Sequence, residues 1–354
     1  MIIHPSGKIR VLVVDDSTSM RMLVRAILTS DPSIEVVGVA ADGIEAVEKA
    51  EALKPEVITL DVEMPRMNGI DALRQIMVKA PSKVIMLSSL TQEGAKTTFE
   101  ALDAGAFDFV PKRAGYGFEA EILNKVKESV RSNFGVTAKG AAATAKSEGS
   151  VIPVQSMLAR NKRINVVGIG TSTGGPLALQ EVLSRIPASF PYGIVVAIHM
   201  PKTFTATYSE RINSKCAITV REAVDGDLVK QGVALIAPGG VHTTIVRHNG
   251  GMMVKTVPSA DYPKHVYVPS VDLMLSSLAE VTAGSMLGVI MTGMGSDGFK
   301  GMQLLKQKGG TTIVQDEATS TIYGMPRACI MGGVADVVLP LGKIGDEIAK
   351  IAAA

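Results

Sequence analysis

The chain of 354 residues has no tryptophan, 4% aromatic residues and two cysteines. So few flat rings argue against base-stacking platforms, and a formal net charge of +2 provides no electropositive face for a phosphate backbone. No nucleic-acid partner is therefore expected. Cys216 and Cys329 show neither metal-ligand nor C-x-x-C spacing and read as reduced thiols of a cytoplasmic protein. No apolar run reaches the ~18 residues of a membrane span, and Met1-Ile2-Ile3-His4-Pro5 lacks a signal-peptide pattern. A cytoplasmic protein with no membrane insertion, working as a monomer, is the expectation. What is present is a hydrophobic share of 46%, enough for two buried cores. At roughly 150 residues per domain the length also suggests two domains.

Strand and helix patterns alternate from residue 9 to residue 133. Strands are expected at Ile9–Val14, Ile34–Ala40, Val57–Leu60, Val84–Leu87 and Phe107–Val110, with helical periodicity between and after them. Such βα alternation predicts a doubly wound parallel sheet in the flavodoxin order. From Gly135 to Ser150 the chain is Ala, Lys, Thr, Gly and Ser without periodicity, the composition of a flexible linker. The alternation resumes at Ile164, with strands expected at Ile194–His199, Val233–Ala237, Met286–Met291 and Thr311–Val314. Asn249-Gly250-Gly251 between two β-rich runs predicts a hairpin. The fold class is thus α/β: a flavodoxin-like domain over residues 8–134, a linker over 135–160, and a Rossmann-like domain with a β-hairpin insertion over 161–354.

In the first domain Asp15, Asp16, Asp61, Ser88 and Lys112 all stand at strand ends. A 2-1-3-4-5 sheet brings those ends to one rim. Three carboxylates and an ammonium there make a hard oxygen site suited to Mg²⁺ and a phosphoryl group, with an aspartate as phosphoryl acceptor. The simpler alternative is that these acids cap helices, as Asp16 before Ser17 can. Pro111 before Lys112 marks a peptide where a cis bond can occur.

Val-Asp15-Asp16-Ser, Leu-Asp61-Val-Glu-Met-Pro65-Arg-Met-Asn-Gly69, Leu-Ser88-Ser and Phe-Val-Pro-Lys112 resemble the motifs of response-regulator receiver domains. The resemblance implies Asp61 as phosphoacceptor, with Asp15, Asp16, Asp61 and the Glu63 carbonyl holding Mg²⁺. It implies Ser88 and Lys112 as grips on the phosphoryl oxygens and Phe109 as the aromatic switch. Arg113 stands where the family more usually has proline.

In the second domain Ser172 follows the apolar run Ile164–Ile169 within Gly170-Thr171-Ser172-Thr173-Gly174, a G-x-S-x-G pattern. A hydroxyl on such a turn sits where α/β proteins place their sites, beside backbone N–H groups suited to an oxyanion. A nucleophilic serine needs a base, and the base an orienting acid. His199 ends the next strand and is favoured by position. His242, after Pro238-Gly239-Gly240, is its rival; His248 lies by the hairpin turn, and His265 lies in a loop that can reach substrate. Asp297, in Thr292-Gly293-Met294-Gly295-Ser296-Asp297-Gly298, is the foremost acid; Asp272 reads as a first-turn helix acid, and Asp316 and Asp336 are weaker. A dinucleotide site fits poorly, since Thr173 stands where the third glycine belongs and the next strand ends in histidine. No G-K-[ST] follows, and the order Ser172, His199, Asp297 departs from that of α/β-hydrolases.

Gly168-Ile-Gly-Thr-Ser172-Thr-Gly-Gly, His199-Met-Pro201, Ala237-Pro-Gly-Gly-x-His242, Pro269-Ser-Val-Asp272, Thr292-Gly-Met-Gly-Ser-Asp297-Gly and Tyr323-Gly-Met-Pro-Arg327 resemble the chemotaxis protein-glutamate methylesterases of CheB type. Thr171 departs from the alanine frequent there; its hydroxyl can crowd the turn, and no loss of activity is expected. The resemblance implies hydrolysis of glutamate methyl esters, and deamidation of some glutamines, on the cytoplasmic helices of methylated chemoreceptors. Ser172 would be the nucleophile, His199 the base and Asp297 the orienting acid, with backbone N–H groups near Thr173 or Met294 as the oxyanion site and no cofactor for ester hydrolysis. A chemotaxis histidine kinase would load Asp61, and the receiver is expected to cover the second domain's site until phosphorylated. Two other readings are a receiver-regulated nucleotide-sensing module, with Ser172 only a cap, and an esterase acting on a small-molecule ester.

Overall fold

The computed structural model describes residues 7–112, 117–132 and 164–350. The segment read as a linker, 135–160, and Arg113 lie outside the described residues. The chain divides into two units, Met1–Thr144 and Ala145–Ala354.

The first unit alternates β1 (Ile9–Val14), α1 (Thr18–Thr29), β2 (Ile34–Ala40), α2 (Gly43–Leu53), β3 (Val57–Asp61), α3 (Gly69–Lys79), β4 (Lys83–Ser88), α4 (Gln92–Asp103), β5 (Asp108–Pro111) and α5 (Phe118–Arg131). The sheet order is β2-β1-β3-β4-β5 and every pairing is parallel. Helices cover both faces of such a sheet, so its strands are apolar throughout rather than alternating; all of β3 is buried. Polar side chains start the helices: Ser17, Asp42, Asn68 and Thr91 each accept a first-turn backbone N–H. Ser17 and not Asp16 therefore caps α1. Gly69 must be glycine, because a Cβ there would lie 2.0 Å from the carbonyl oxygen of Asp61.

The second unit contains β6 (Val166–Thr171), α6 (Gly175–Leu183), β7 (Gly193–Ile198), α7 (Lys202–Asn213), β8 (Thr219–Glu222), β9 (Val233–Ile236), β10 (Val241–His248), β11 (Gly251–Pro258), α8 (Val271–Thr282), β12 (Leu287–Ile290), α9 (Phe299–Gln307), β13 (Thr311–Gln315), α10 (Met325–Met331), β14 (Val337–Leu339) and α11 (Leu341–Lys350). Its parallel sheet has seven strands in the order β14-β13-β12-β6-β7-β9-β8. From β6 the chain winds one way through β7, β9 and β8 and the other way through β12, β13 and β14. The switch point lies between β6 and β12, where open α/β sheets bind ligands. The β10–β11 hairpin turns at Asn249 and Gly250, both at positive φ, as a type I′ turn requires.

The short edge strands β8 and β14 do not register as strands in the sequence. The cis peptide among the described residues is Val268–Pro269, so Val110–Pro111 is trans. Among the described residues no helix is long and apolar enough to cross a membrane.

Candidate functional sites

Ser172, His199 and Asp297 meet at the switch point. Ser172 leaves β6, His199 leaves the adjacent β7, and Asp297 lies in the loop from β12 to α9. The His199 ring bridges the other two: Nδ1 is 3.1 Å from Ser172 Oγ and Nε2 is 2.8 Å from Asp297 Oδ2. An ionised carboxylate only accepts, so Nε2 carries the proton and the Nδ1 lone pair faces the serine hydroxyl. The His199 and Asp297 side chains are 10% and 7% exposed, so the contact operates with little screening.

Asp297 is held by the first turn of α8. Its Oδ2 also accepts the Val271 N–H at 2.7 Å, and its Oδ1 accepts the Asp272 N–H at 2.9 Å and the Ser270 hydroxyl at 3.1 Å. Burial pushes its pKa up. His199 and the backbone donors outweigh burial and hold the carboxyl below its ordinary value, which keeps it ionised beside the imidazole. Asp272 stands in the first turn of α8, but its Oδ1 accepts the N–H groups of Gly298 and Gly301 at the start of α9.

His242 is fully buried and its Nδ1 accepts the Ser270 N–H at 3.1 Å. Burial, then neighbouring His265, pushes its pKa down. It is committed to α8 and not to the serine. His265 sits with Nδ1 3.0 Å from Ser270 Oγ, one hydrogen bond removed from Asp297. Two partners escaped the sequence analysis. Ser270, the α8 cap, had a signal in the Pro269-Ser270 pair ahead of an apolar helix. Tyr267, whose ring stacks on His199 with centroids 4.3 Å apart and planes 5° from parallel, had none.

The turn that carries Ser172 is clamped to the loop after β12. The Ser172 N–H donates to the Thr292 carbonyl at 3.0 Å, and the Thr171 hydroxyl donates to the same oxygen at 2.7 Å. The Thr171 hydroxyl therefore does not crowd the turn; it is buried and bonded. The Thr292 hydroxyl in turn donates to the Thr173 carbonyl at 2.9 Å. Among the described residues the backbone N–H groups of Thr173 and Met294 make no hydrogen bond within the protein, unlike that of Ser172.

In the first unit, carboxylate oxygens of Asp15, Asp16 and Asp61 lie within 4.8 Å of one another. Three hard oxygen donors this close fit Mg²⁺. Lys112 Nζ is 2.8 Å from Asp15 Oδ2 and 2.7 Å from Asp61 Oδ2. Burial raises the Asp61 pKa to about 6, against the pull of Lys112. The backbone N–H of Glu63 bonds the Asp61 carboxylate, while the Glu63 side chain is exposed. Ser88 Oγ faces α4, 2.7 Å from Thr98 Oγ1 and 3.1 Å from the Gly94 carbonyl oxygen. Phe109 is buried edge-on against Phe99, with Lys125 Nζ 5.1 Å from its ring centre. A cleft of about 670 Å³ opens beside Asp16, Glu63 and Met64.

Residues 167–348 match the CheB methylesterase family, and residues 11–126 match the response regulator receiver domain. The chain belongs to the CheB methylesterase family. It is 57% identical to protein-glutamate methylesterase/protein-glutamine glutaminase 1 of Geobacter sulfurreducens, over 99% of each chain. It is 56% identical to the protein numbered 5 of the same name in Geobacter metallireducens, over 99% of this chain and 100% of that one. The crystal structure of the Thermotoga maritima CheB methylesterase catalytic domain is similar with a TM-score of 0.51 and 39% identity, covering 53% of this chain and 98% of that one. Family membership places a receiver and an esterase in one polypeptide.

Proposed function

We propose that this protein hydrolyses γ-methyl esters of glutamate, and deamidates some glutamines, on the cytoplasmic helices of chemoreceptors, under control of phosphorylation at Asp61. The observation that carries the reading is the His199 ring bridging the Ser172 hydroxyl and the Asp297 carboxylate. Ser172 Oγ attacks the ester carbonyl while His199 Nδ1 takes its proton. Asp297 holds the ring and stabilises the imidazolium. The N–H groups of Thr173 and Met294 are the candidates to hold the oxyanion, and each such donor is worth about 10²–10³ in rate. His199 returns the proton to the departing methoxide, and methanol leaves. Water, deprotonated by His199, then releases the glutamate carboxylate and restores Ser172. In this reading His265 is a candidate substrate contact.

In the receiver, Asp61 is the acceptor for a phosphoryl group from a histidine kinase. Asp15, Asp16, Asp61 and the Glu63 carbonyl would hold Mg²⁺, which neutralises charge on the transferring group. Lys112 binds a phosphoryl oxygen, Ser88 turns from α4 to bind another, and Phe109 responds to that turn. The protein acts in the cytoplasm as a monomer. The test is methanol release from methylated receptor fragments, with and without a small phosphodonor. Ser172→Ala should lower the rate at least 10³-fold without changing the fold; near-normal release would refute the nucleophile assignment.

A further inference from the structure

We infer that Tyr267 is a positioning residue that holds the ring of the base and stabilises its charged form through its aromatic face. The inference rests on His199 being the base of the proposed reaction. The two rings are stacked, with centroids 4.3 Å apart and planes 5° from parallel. His199 must keep both nitrogens on their partners, 3.1 Å from Ser172 Oγ and 2.8 Å from Asp297 Oδ2. Rotation of the ring about its Cβ–Cγ bond would break both contacts, and a flat neighbour against one face opposes that rotation. On taking the serine proton the imidazole becomes a cation. The π face of a phenol attracts a cation above it, and more strongly where water is excluded.

The surrounding chain is built to keep Tyr267 there. It stands three residues before Ser270, whose hydroxyl donates to Asp297 Oδ1, and four before Val271, whose N–H donates to Oδ2. Ser270 Oγ gives its one proton to the carboxylate, so His265 Nδ1, 3.0 Å away, must be the donor to that oxygen. One stretch of chain, the loop from His265 and the first turn of α8 that follows it, thus fixes the acid at one end of the base and covers a face of its ring. Opposite the phenol, Gly295 has φ +78°, and a Cβ there would come to 3.3 Å from the Tyr267 hydroxyl oxygen. Burial and the Asp297 charge raise the Tyr267 pKa above its ordinary value, so the ring remains a neutral phenol while the base gains and loses its proton.

The experiment measures the inactivation rate of Ser172 by a phosphonofluoridate from pH 5 to 9, and kcat and KM for methanol release, in wild type, Tyr267→Phe and Tyr267→Leu. Melting temperatures check that each variant is folded. Tyr267→Phe keeps the face and should stay within about threefold of wild type in both rates. Tyr267→Leu should lose roughly three- to thirtyfold in kcat and in inactivation rate, with KM unchanged. Its acid limb should move to lower pH by about half a unit to one unit, because the protonated ring has lost its partner. A leucine variant with wild-type rates and an unmoved acid limb overturns the inference. Equal losses in both variants also overturn it, since they assign the effect to the hydroxyl. If wild type is not labelled at Ser172, the proposed reaction falls and this inference with it; labelling of wild type with no effect in Tyr267→Leu defeats this inference alone.

Discussion

Replacing Asp61 by asparagine should stabilise the receiver, although it removes an ion-pair partner of Lys112. The Asp61 carboxyl is buried, and burial lifts its pKa from 3.8 to about 6 even with Lys112 2.7 Å away. In the unfolded chain it titrates near ~3.9. The folded state therefore binds the extra proton between about pH 4 and pH 6. Stability falls as pH rises through that window, and the full penalty is present above it. Two units at ~1.4 kcal/mol each give about 3 kcal/mol. Relaxation around Asp15 and Lys112 will reduce this, so Asp61→Asn should gain roughly 1–3 kcal/mol at pH 7.5. That amounts to several degrees in the receiver's melting temperature. At pH 5 the wild-type group is mostly protonated, and the gain should shrink to about half.

Scanning calorimetry of the full chain without divalent metal is the assay. The receiver transition is identified as the one that Mg²⁺ moves upward in wild type, since bound metal stabilises the folded state. A variant melting at or below wild type at pH 7.5 would refute the reasoning, because the ion pair would then outweigh the burial of charge. A gain independent of pH would show that Asp61 does not carry the raised pKa.

Asp297→Asn should cut kcat about 10³–10⁴-fold, because an amide no longer enforces the Nε2–H tautomer of His199; steady-state methanol release measures it. Thr171→Ala removes one of two bonds to the Thr292 carbonyl and should cost about 1 kcal/mol by denaturant melting. Its activity should stay within several-fold of wild type, since the Ser172 N–H keeps the other bond. In the esterase assay Asp61→Asn should retain basal activity and lose its response to a phosphodonor; a persisting response would place the phosphoryl group elsewhere.

The parallel strands were legible because burial on both faces leaves no alternation to misread: β1, β3, β6 and β7 are apolar runs ended by Asp, Ser or His. Ser172 and His199 followed directly, being the first polar residues past neighbouring strand ends. The edge strands of the second sheet, β8 and β14, were not legible. In β8 only Val220 is fully buried, and β14 is three residues long, so neither offers enough periods to distinguish it from a loop. The contacts of Tyr267 and Thr171 are not legible for another reason. A loop side chain's partner is set by tertiary packing, and the Thr171 hydroxyl finds its acceptor on Thr292, 121 residues along the chain.

The two acids show where reading by local position stops. Asp272 reads from the sequence as an acid in the first turn of its own helix and does lie there, yet its carboxylate accepts the N–H groups at the start of α9. Asp297, in the loop that leads into α9, accepts those at the start of α8. Each helix N-terminus is thus satisfied by the acid belonging to the other. A helix start offers unpaired N–H groups and a positive dipole end to any anion that reaches it, and local sequence does not specify which acid arrives. The exchange has a chemical consequence: the α8 donors compensate the buried Asp297 charge and leave one lobe of Oδ2 for His199. Packing of α8 against α9 therefore does double service, closing two helix ends and fixing the Asp297 carboxylate against His199.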